Sequence, residues 1–429
     1  MVANPETTLQ FLMTSRQCEL NSLRCLLQSG ELVGKISQLV HMLQRERGTS
    51  NLFLCAQESV APEALRLREQ DVGLAQAQVM AHLLQLEQRT DLLPQASRLF
   101  SRAASVVYSL SLLPVLRHKL RQRMLPQPDV MTAFNDIIRH LLALVFEVSD
   151  TAAEPGIARA LVAMFSFMQG KEFAGQERAL GAAAFATGAF TPDRQQALLD
   201  LIERQERCFD TFVDFADDEN KAHWQQLGTD REFERLRRIA CTRMAAGALN
   251  AGESMRWFAL ATERIDAMKR LEDALEQTLM ALCQQRITAA EAACRDQAVS
   301  VEHLLEQQQD HAHGYSVFMP GEEMVSSQTA AQWISSDGVC PQLGRSLLSL
   351  VQTQSRRLQR LDSELTEMRA SLTERKQIDR AKGMLMQHRG MTEEEAYKTL
   401  RSLAMSQNKK LVEIATAMLA VADVFQSPP

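Results

Sequence analysis

Apolar residues along this chain recur three and four positions apart. Leu32, Ile36, Leu39, Val40 and Leu43 set the pattern, which continues with interruptions to about Arg286. That spacing gathers apolar side chains on one face of a helix. Pro or Gly interrupts it at Ala61-Pro62, Leu93-Pro94, Pro126 to Pro128, Pro155-Gly156, Thr191-Pro192 and Gly228-Thr229-Asp230. About eight helices follow, which suits a pair of four-helix bundles or one elongated bundle. Residues 1–30 read as a weakly defined helical lead-in. Val, Ile, Thr and Tyr are too sparse, and alternate too little, for a large sheet. The expected class is all-α.

The pattern changes after Asp310. Two stretches, HAHGYSVFMPGEEMVSSQ and WISSDGVCPQLG, concentrate Gly, Ser and Pro. They read as a linker or irregular connection, with Tyr315, Phe318 and Trp333 arguing against full disorder. From Ser346, Leu347, Val351, Gln354, Leu358, Leu361, Leu365, Met368 and Leu372 step by four and three. That is a heptad seam with one polar position, facing either a second copy or its own domain. Gly390 stops the helix. Thr392 with Glu395 forms a capping box for the next one, whose apolar face holds Ala396, Tyr397, Leu400, Leu403 and Ala404. After a polar turn, Leu411, Ile414, Ala415, Met418 and Leu419 line a last helix. A small three-helix bundle is expected there. The divisions are thus a lead-in (1–30), a helical body (31–290), a connection (291–344), a coiled-coil helix (345–372) and a terminal bundle (373–425).

Charge sharpens this division. Of the 429 residues, 45% are apolar and only 5% aromatic, and the net charge is -6. Yet residues 371–420 hold nine basic against six acidic residues, so a basic module follows an acidic body. Such a module points to one anionic partner bound locally. The eight cysteines are scattered with no C-x-x-C pair, as expected of reduced thiols in a cytosol. MVANPETTLQ has neither a basic start nor an apolar run, so no export signal is expected. The most apolar stretch, Val106 to Leu116, is short and contains Pro114, so no membrane span is expected. No phosphate-cradling Gly loop, G-x-S-x-G or H-E-x-x-H occurs, and an enzyme is not expected. His311 and His313 lack neighbouring ligands, so neither a metal nor a cofactor is expected.

The stretch ERKQIDRAKGMLMQHRGMTEEEAYKTLRSLAMSQNKKLVEIATAML resembles the ANTAR domain. The elements that carry the likeness are Ile378, Ala381-Lys382-Gly383, Leu385-Met386 and Thr392 to Tyr397, then Leu400-Arg401, Ala404-Met405, Asn408, Leu411 and Ile414-Ala415. The resemblance implies binding to hairpins in nascent RNA and relief of transcription termination. Basic side chains would hold phosphates and polar ones would read unpaired bases. Lys382, Arg401, Asn408, Lys409 and Lys410 are the candidates, by match and by exposure on the helical pattern. Ala381, Gly383, Met386, Tyr397 and Met405 are expected in the core.

LVHMLQRERGTSNLFL, from Leu39 to Leu54, resembles the start of the NIT domain, a nitrate- and nitrite-sensing module. QGKEFAGQERALGAAAFATG, from Gln169 to Gly188, resembles its second block, and Phe233 to Arg237 a third. The helical pattern turns Arg47, Arg178 and Arg237 inward, with Arg235 as a substitute for Arg237. A buried guanidinium needs a carboxylate or a bound anion. Nitrate is planar and matches the guanidinium fork with two parallel hydrogen bonds. Pairing with Glu46, Glu177 or Glu234 across helices is the other reading.

Together these readings predict a one-component cytoplasmic regulator of nitrate assimilation genes. Its effector is nitrate or nitrite, and its partner is a leader mRNA hairpin. It reaches the transcription complex indirectly, forms a homodimer, and binds neither DNA nor membrane. The rival is an RNA-binding antiterminator whose body is a protein-interaction module.

Overall fold

Helix α1 (Pro5–Cys55) opens the chain in one run of 51 residues. Residues 5–30 are therefore its first half rather than a separate lead-in, because nothing in them breaks the helix. Leu32, Val33, Ile36, Leu39, Val40 and Leu43 are all fully buried along one face. This computed structural model describes residues 5–55, 61–88, 96–308 (except 153, 189, 229 and 243–250), 315–317, 334–336, 356–368, 370, 374, 377–378, 380–386, 391, 393–407 and 410–426. Two compact units are present, residues 1–352 and 353–429.

The first unit continues with α2 (Pro62–Glu87), α3 (Ala96–Ser111), α4 (Leu113–Arg121) and α5 (Gln127–Thr151). Then come α6 (Pro155–Thr187), α7 (Pro192–Phe215), α8 (Asp218–Leu227), α9 (Arg231–Thr242) and α10 (Ala251–Gln308). Several starts fall at the breaks read from sequence, and capping explains them. Glu154 accepts from Ile157 N at 2.6 Å with Pro155 beside it, and Thr191 accepts from Arg194 N at 3.3 Å ahead of Pro192. Asp217 and Asp230 cap α8 and α9 in the same way.

The contacts of α6 and α1 tie the helices of the body together. Helix α6 packs on α1, α5, α7 and α10 at once, and α1 also packs on α2, α5 and α10. Both faces of α6 are buried, so it is the axis around which the unit is built. Helix α10 extends to Gln308, which takes up residues 291–308 of the expected connection, where neither Gly nor Pro interrupts. Within the rest, β1 (Tyr315–Val317) and β2 (Ile334–Ser336) pair antiparallel, Tyr315 opposite Ser336. The stretch Ser97–Arg121 is long and apolar enough to cross a membrane by those measures alone. Here it is α3 and α4, whose Leu99, Val106, Leu110, Leu113, Leu116 and Leu120 are buried.

In the second unit, residues 356–368 and 380–386 are helical, followed by α11 (Glu393–Gln407) and α12 (Leu411–Gln426). Ala381, Leu385, Ala396, Leu400, Ala404, Ile414 and Ala415 form its core, with Ile378, Met386, Leu403 and Leu411 packed around them. Leu347, Val351, Gln354 and Leu372 of the heptad seam lie outside the described residues, as do Gly390 and Thr392. Of the rest, Leu365 is buried and Leu358 is exposed.

Candidate functional site

Two of the arginines singled out from sequence face each other across the crossing of α1 and α6. Arg47 follows the apolar face of α1 and is fully buried. Its Nη1 donates to Asn135 Oδ1 at 2.5 Å and to Glu172, and its Nη2 reaches Glu172 Oε2 at 3.2 Å. Glu172 also accepts from Gln44 at 2.8 Å and Gln176 at 2.9 Å. Four donor groups therefore hold one buried carboxylate.

Arg178, on α6, is buried without such a partner. Its Nη2 donates to the Gln44 carbonyl at 2.7 Å and its Nη1 to Thr262 Oγ1 at 3.1 Å. The guanidinium lies over the Phe258 ring at 4.9 Å. Among the described residues no carboxylate comes within ion-pair distance of it. Burial first, and then the neighbouring Arg47 charge, pull Arg178 down to about 9 from the usual arginine value. The Nε groups of both Arg47 and Arg178 lack an acceptor among the described residues, as does the Ser50 hydroxyl.

Two glycines make the crossing close enough for this arrangement. A Cβ on Gly175 would stand 2.4 Å from Arg47 Nη2, and one on Gly48 would stand 2.7 Å from Arg178 Nη2. Each helix thus offers a bare backbone position to the other's guanidinium. A cleft of about 580 Å³ borders Asn135, Glu172 and Gln176, the residues around Arg47. Arg102, Arg139 and Arg204 also line it, together with Asp136, which pairs with Arg139 at 2.9 Å.

The other two arginines are placed differently. Arg237 donates to Glu177 at 2.7 and 2.9 Å, and to Glu234 at 3.4 Å. Burial lowers its proton affinity, but the charge and hydrogen bonds of Glu177 outweigh that, and the net shift is upward. Arg237 is therefore neutralised across helices, as the pairing alternative required. Arg235 is 57% exposed and pairs with Glu232 at 3.4 Å, so it does not stand in for Arg237 in the interior. Glu46 serves Arg117, at 2.7 and 2.8 Å, and not the adjacent Arg47.

Glu172, Asn135, Gln44 and Thr262 were not singled out from the sequence. Glu172 sits three before Gly175 in the quoted block, so its place on the arginine-bearing face was legible. Asn135 and Thr262 come from α5 and α10, and no spacing within one helix points to them. A second buried polar layer adjoins the site. Lys171 pairs with Glu272 at 2.5 Å, and Ser37 also donates to Glu272. Lys269 reaches Ser37 at 2.6 Å and Asp273 at 2.8 Å. Burial opposes ionisation of Glu272, yet Lys171 and Lys269 outweigh it and hold the carboxyl below its usual range.

In the second unit, Arg401 and Lys410 are exposed. Lys382 is 9% exposed and its ammonium sits 5.9 Å from the centre of the Tyr397 ring. This corrects both expectations: Lys382 is tucked in and Tyr397, at 42%, is exposed. A Lys stem can pack along an apolar surface, and an aromatic ring can shelter its charge. Asn408 and Lys409 lie outside the described residues.

The NIT model, nitrate and nitrite sensing, matches residues 38–280, and the ANTAR domain model matches residues 366–419. The chain belongs to the NIT family. Its matched region holds Arg47, Glu172, Gly175 and Arg178. The chain is also similar to the nitrate regulatory protein of Klebsiella oxytoca, 36% identical over 431 residues, covering 100% of this chain and 99% of that one. Among solved structures it is similar to that of the NasR transcription antiterminator, at 34% identity and a TM-score of 0.59. That likeness spans 97% of this chain and 99% of the other. In this NIT protein the sensing match is followed by the ANTAR match, in that order.

Proposed function

We propose that this NIT protein is a nitrate- or nitrite-responsive antiterminator, with the anion held at the α1/α6 crossing and an RNA hairpin held by the C-terminal unit. Arg178 carries the reading. A buried cation without a carboxylate is costly to keep, and here it stands beside a second guanidinium. Arg47 and Arg178 have one bonded carboxylate between them, Glu172. A planar monovalent oxyanion supplies the missing negative charge and accepts the unspent Nε–H groups. The full-length likeness to a nitrate regulatory protein and to an antiterminator supports the same assignment.

The regulatory step is a linkage. The anion favours the arrangement that binds RNA by as much as it binds that arrangement more tightly. A tenfold change in the competent population needs only about 1.4 kcal/mol of such difference. The protein acts on nascent RNA in the cytoplasm, without catalysis and without a cofactor, and reaches the transcription complex through the hairpin. The C-terminal heptad helix pairs two copies.

Thermal melting of the full chain in nitrate, nitrite, chloride and sulfate tests the anion site. Nitrate and nitrite should raise the melting temperature at concentrations where chloride and sulfate do not. An equal response to all four would remove the sensing assignment.

A further inference from the structure

Helix α2 carries two apolar seams back to back, and among the described residues only one of them is buried. The inner seam is Leu65, Val72, Ala75, Val79, His82 and Leu86, all buried, and α2 packs with it on α1. Two residues further on, half a turn round the helix, a second seam runs through Leu67, Gln70, Leu74, Ala77, Ala81 and Leu84. It keeps strict steps of three and four over 18 residues. Every position in it is exposed, and its leucines are 54%, 71% and 55% exposed. Next to it, a Cβ on Gly73 would meet nothing within 4 Å. A solvated helix face does not need three leucines and two alanines in heptad register.

We propose that this seam pairs with α2 of a second copy of the chain, antiparallel and about a two-fold axis that crosses the helix between residues 75 and 76. The residues themselves select that pairing. The two-fold axis sets Leu67 against Leu84 of the partner subunit, Gln70 against Ala81 of the partner subunit, and Leu74 against Ala77 of the partner subunit. In the two inner layers a long side chain meets a short one, which keeps the layers even in volume. Parallel pairing would stack Leu on Leu and Ala on Ala, and Gln70 on its own copy. The flanks agree: antiparallel pairing sets exposed Arg66 beside Glu87 of the partner subunit at each end, opposite charges at both. The interface is isologous, so it closes at two copies. It is distinct from the C-terminal heptad helix and does not depend on the anion site.

Sedimentation velocity of the full chain over a concentration series tests the proposal. With the C-terminal seam removed by Leu361→Glu, the protein should still form a dimer, and adding Leu74→Glu should weaken dimerisation by at least about tenfold. Because Leu74 is exposed, that variant should melt at the same temperature as the Leu361→Glu protein measured as a dilute monomer. Arg66→Glu should weaken the dimer, and adding Glu87→Arg should restore it. Parallel pairing would instead bring Arg66 near Asp71 of the partner subunit, and the double variant would not recover. The proposal is overturned if the Leu361→Glu protein stays monomeric throughout, or if adding Leu74→Glu leaves its dimer intact. It is also overturned if the double swap fails to restore association.

Discussion

Arg47 and Arg178 look alike in the sequence and should behave in opposite ways when removed. Arg47 neutralises Glu172, so Arg47→Ala leaves a buried carboxylate uncompensated and should cost about 3–5 kcal/mol. Adding Glu172→Gln should recover much of that loss in chemical denaturation. Arg178 neutralises no carboxylate, so Arg178→Met should leave the protein as stable or more stable, while the melting response to nitrate disappears. His41 provides a pH signature for the same region. Burial, followed by Lys171, Lys269, Arg45 and Arg178, holds it down to about 2 from 6.5. Asp266 lies 3.6 Å from its Nε2, too weak a counterweight to those four cations. The folded state therefore keeps His41 neutral, while the unfolded chain takes up a proton below pH 6.5. Stability from this residue is complete above 6.5 and lost as pH falls from there toward 2, by up to about 1.4 kcal/mol per pH unit. His41→Gln should flatten the fall in melting temperature between pH 7 and pH 5; an unchanged slope would contradict the assignment. In the second unit, Arg401→Ala and Lys410→Ala should weaken hairpin binding and reduce its salt dependence without altering the melt. Lys382→Ala should lower the melt, because that stem is packed.

At the scale of elements, the crossing of α1 and α6 is the feature on which the site depends. Gly175→Ala should collide with a guanidinium that cannot yield, since Glu172 and Asn135 hold it from the far side. A loss of about 1–3 kcal/mol is expected, together with a weakened nitrate response. Which elements exist was legible in the sequence, because Pro, Asp and Thr at the breaks act locally: Glu154-Pro155, Thr191-Pro192 and Asp230 each start a helix by capping it. Which faces meet was less legible. The period that turns Arg47, Arg178 and Arg237 inward is a property of single helices. Whether each then finds a carboxylate depends on neighbours more than 50 residues away, Glu172 for Arg47 and Glu177 for Arg237. Lys382 shows the same gap at the RNA end. A helical pattern assigns a lysine to the outside, but a ring on the next helix can draw it in. Arg235 shows the reverse: one step from Leu236 was enough to carry it into solvent.

For the whole molecule, the body is one unit woven around α6, and this bears on how a small anion could act at a distance. The α1/α6 crossing is joined to α10 through Arg178 and Thr262, and again through the layer of Ser37, Lys171, Lys269 and Glu272. Helix α10 therefore touches the candidate site along two buried polar contacts before it runs on to Gln308. Closely packed helices with bonded charges shift between discrete arrangements more readily than they bend. The measurement that tests this account most directly is hairpin affinity of the full chain by fluorescence anisotropy, with and without nitrate, in the parent and in Arg178→Met. Nitrate should tighten binding in the parent by on the order of tenfold or more, and should change nothing in the variant. A variant that responds to nitrate as fully as the parent would contradict the claim that this buried, unpaired guanidinium is where the signal enters.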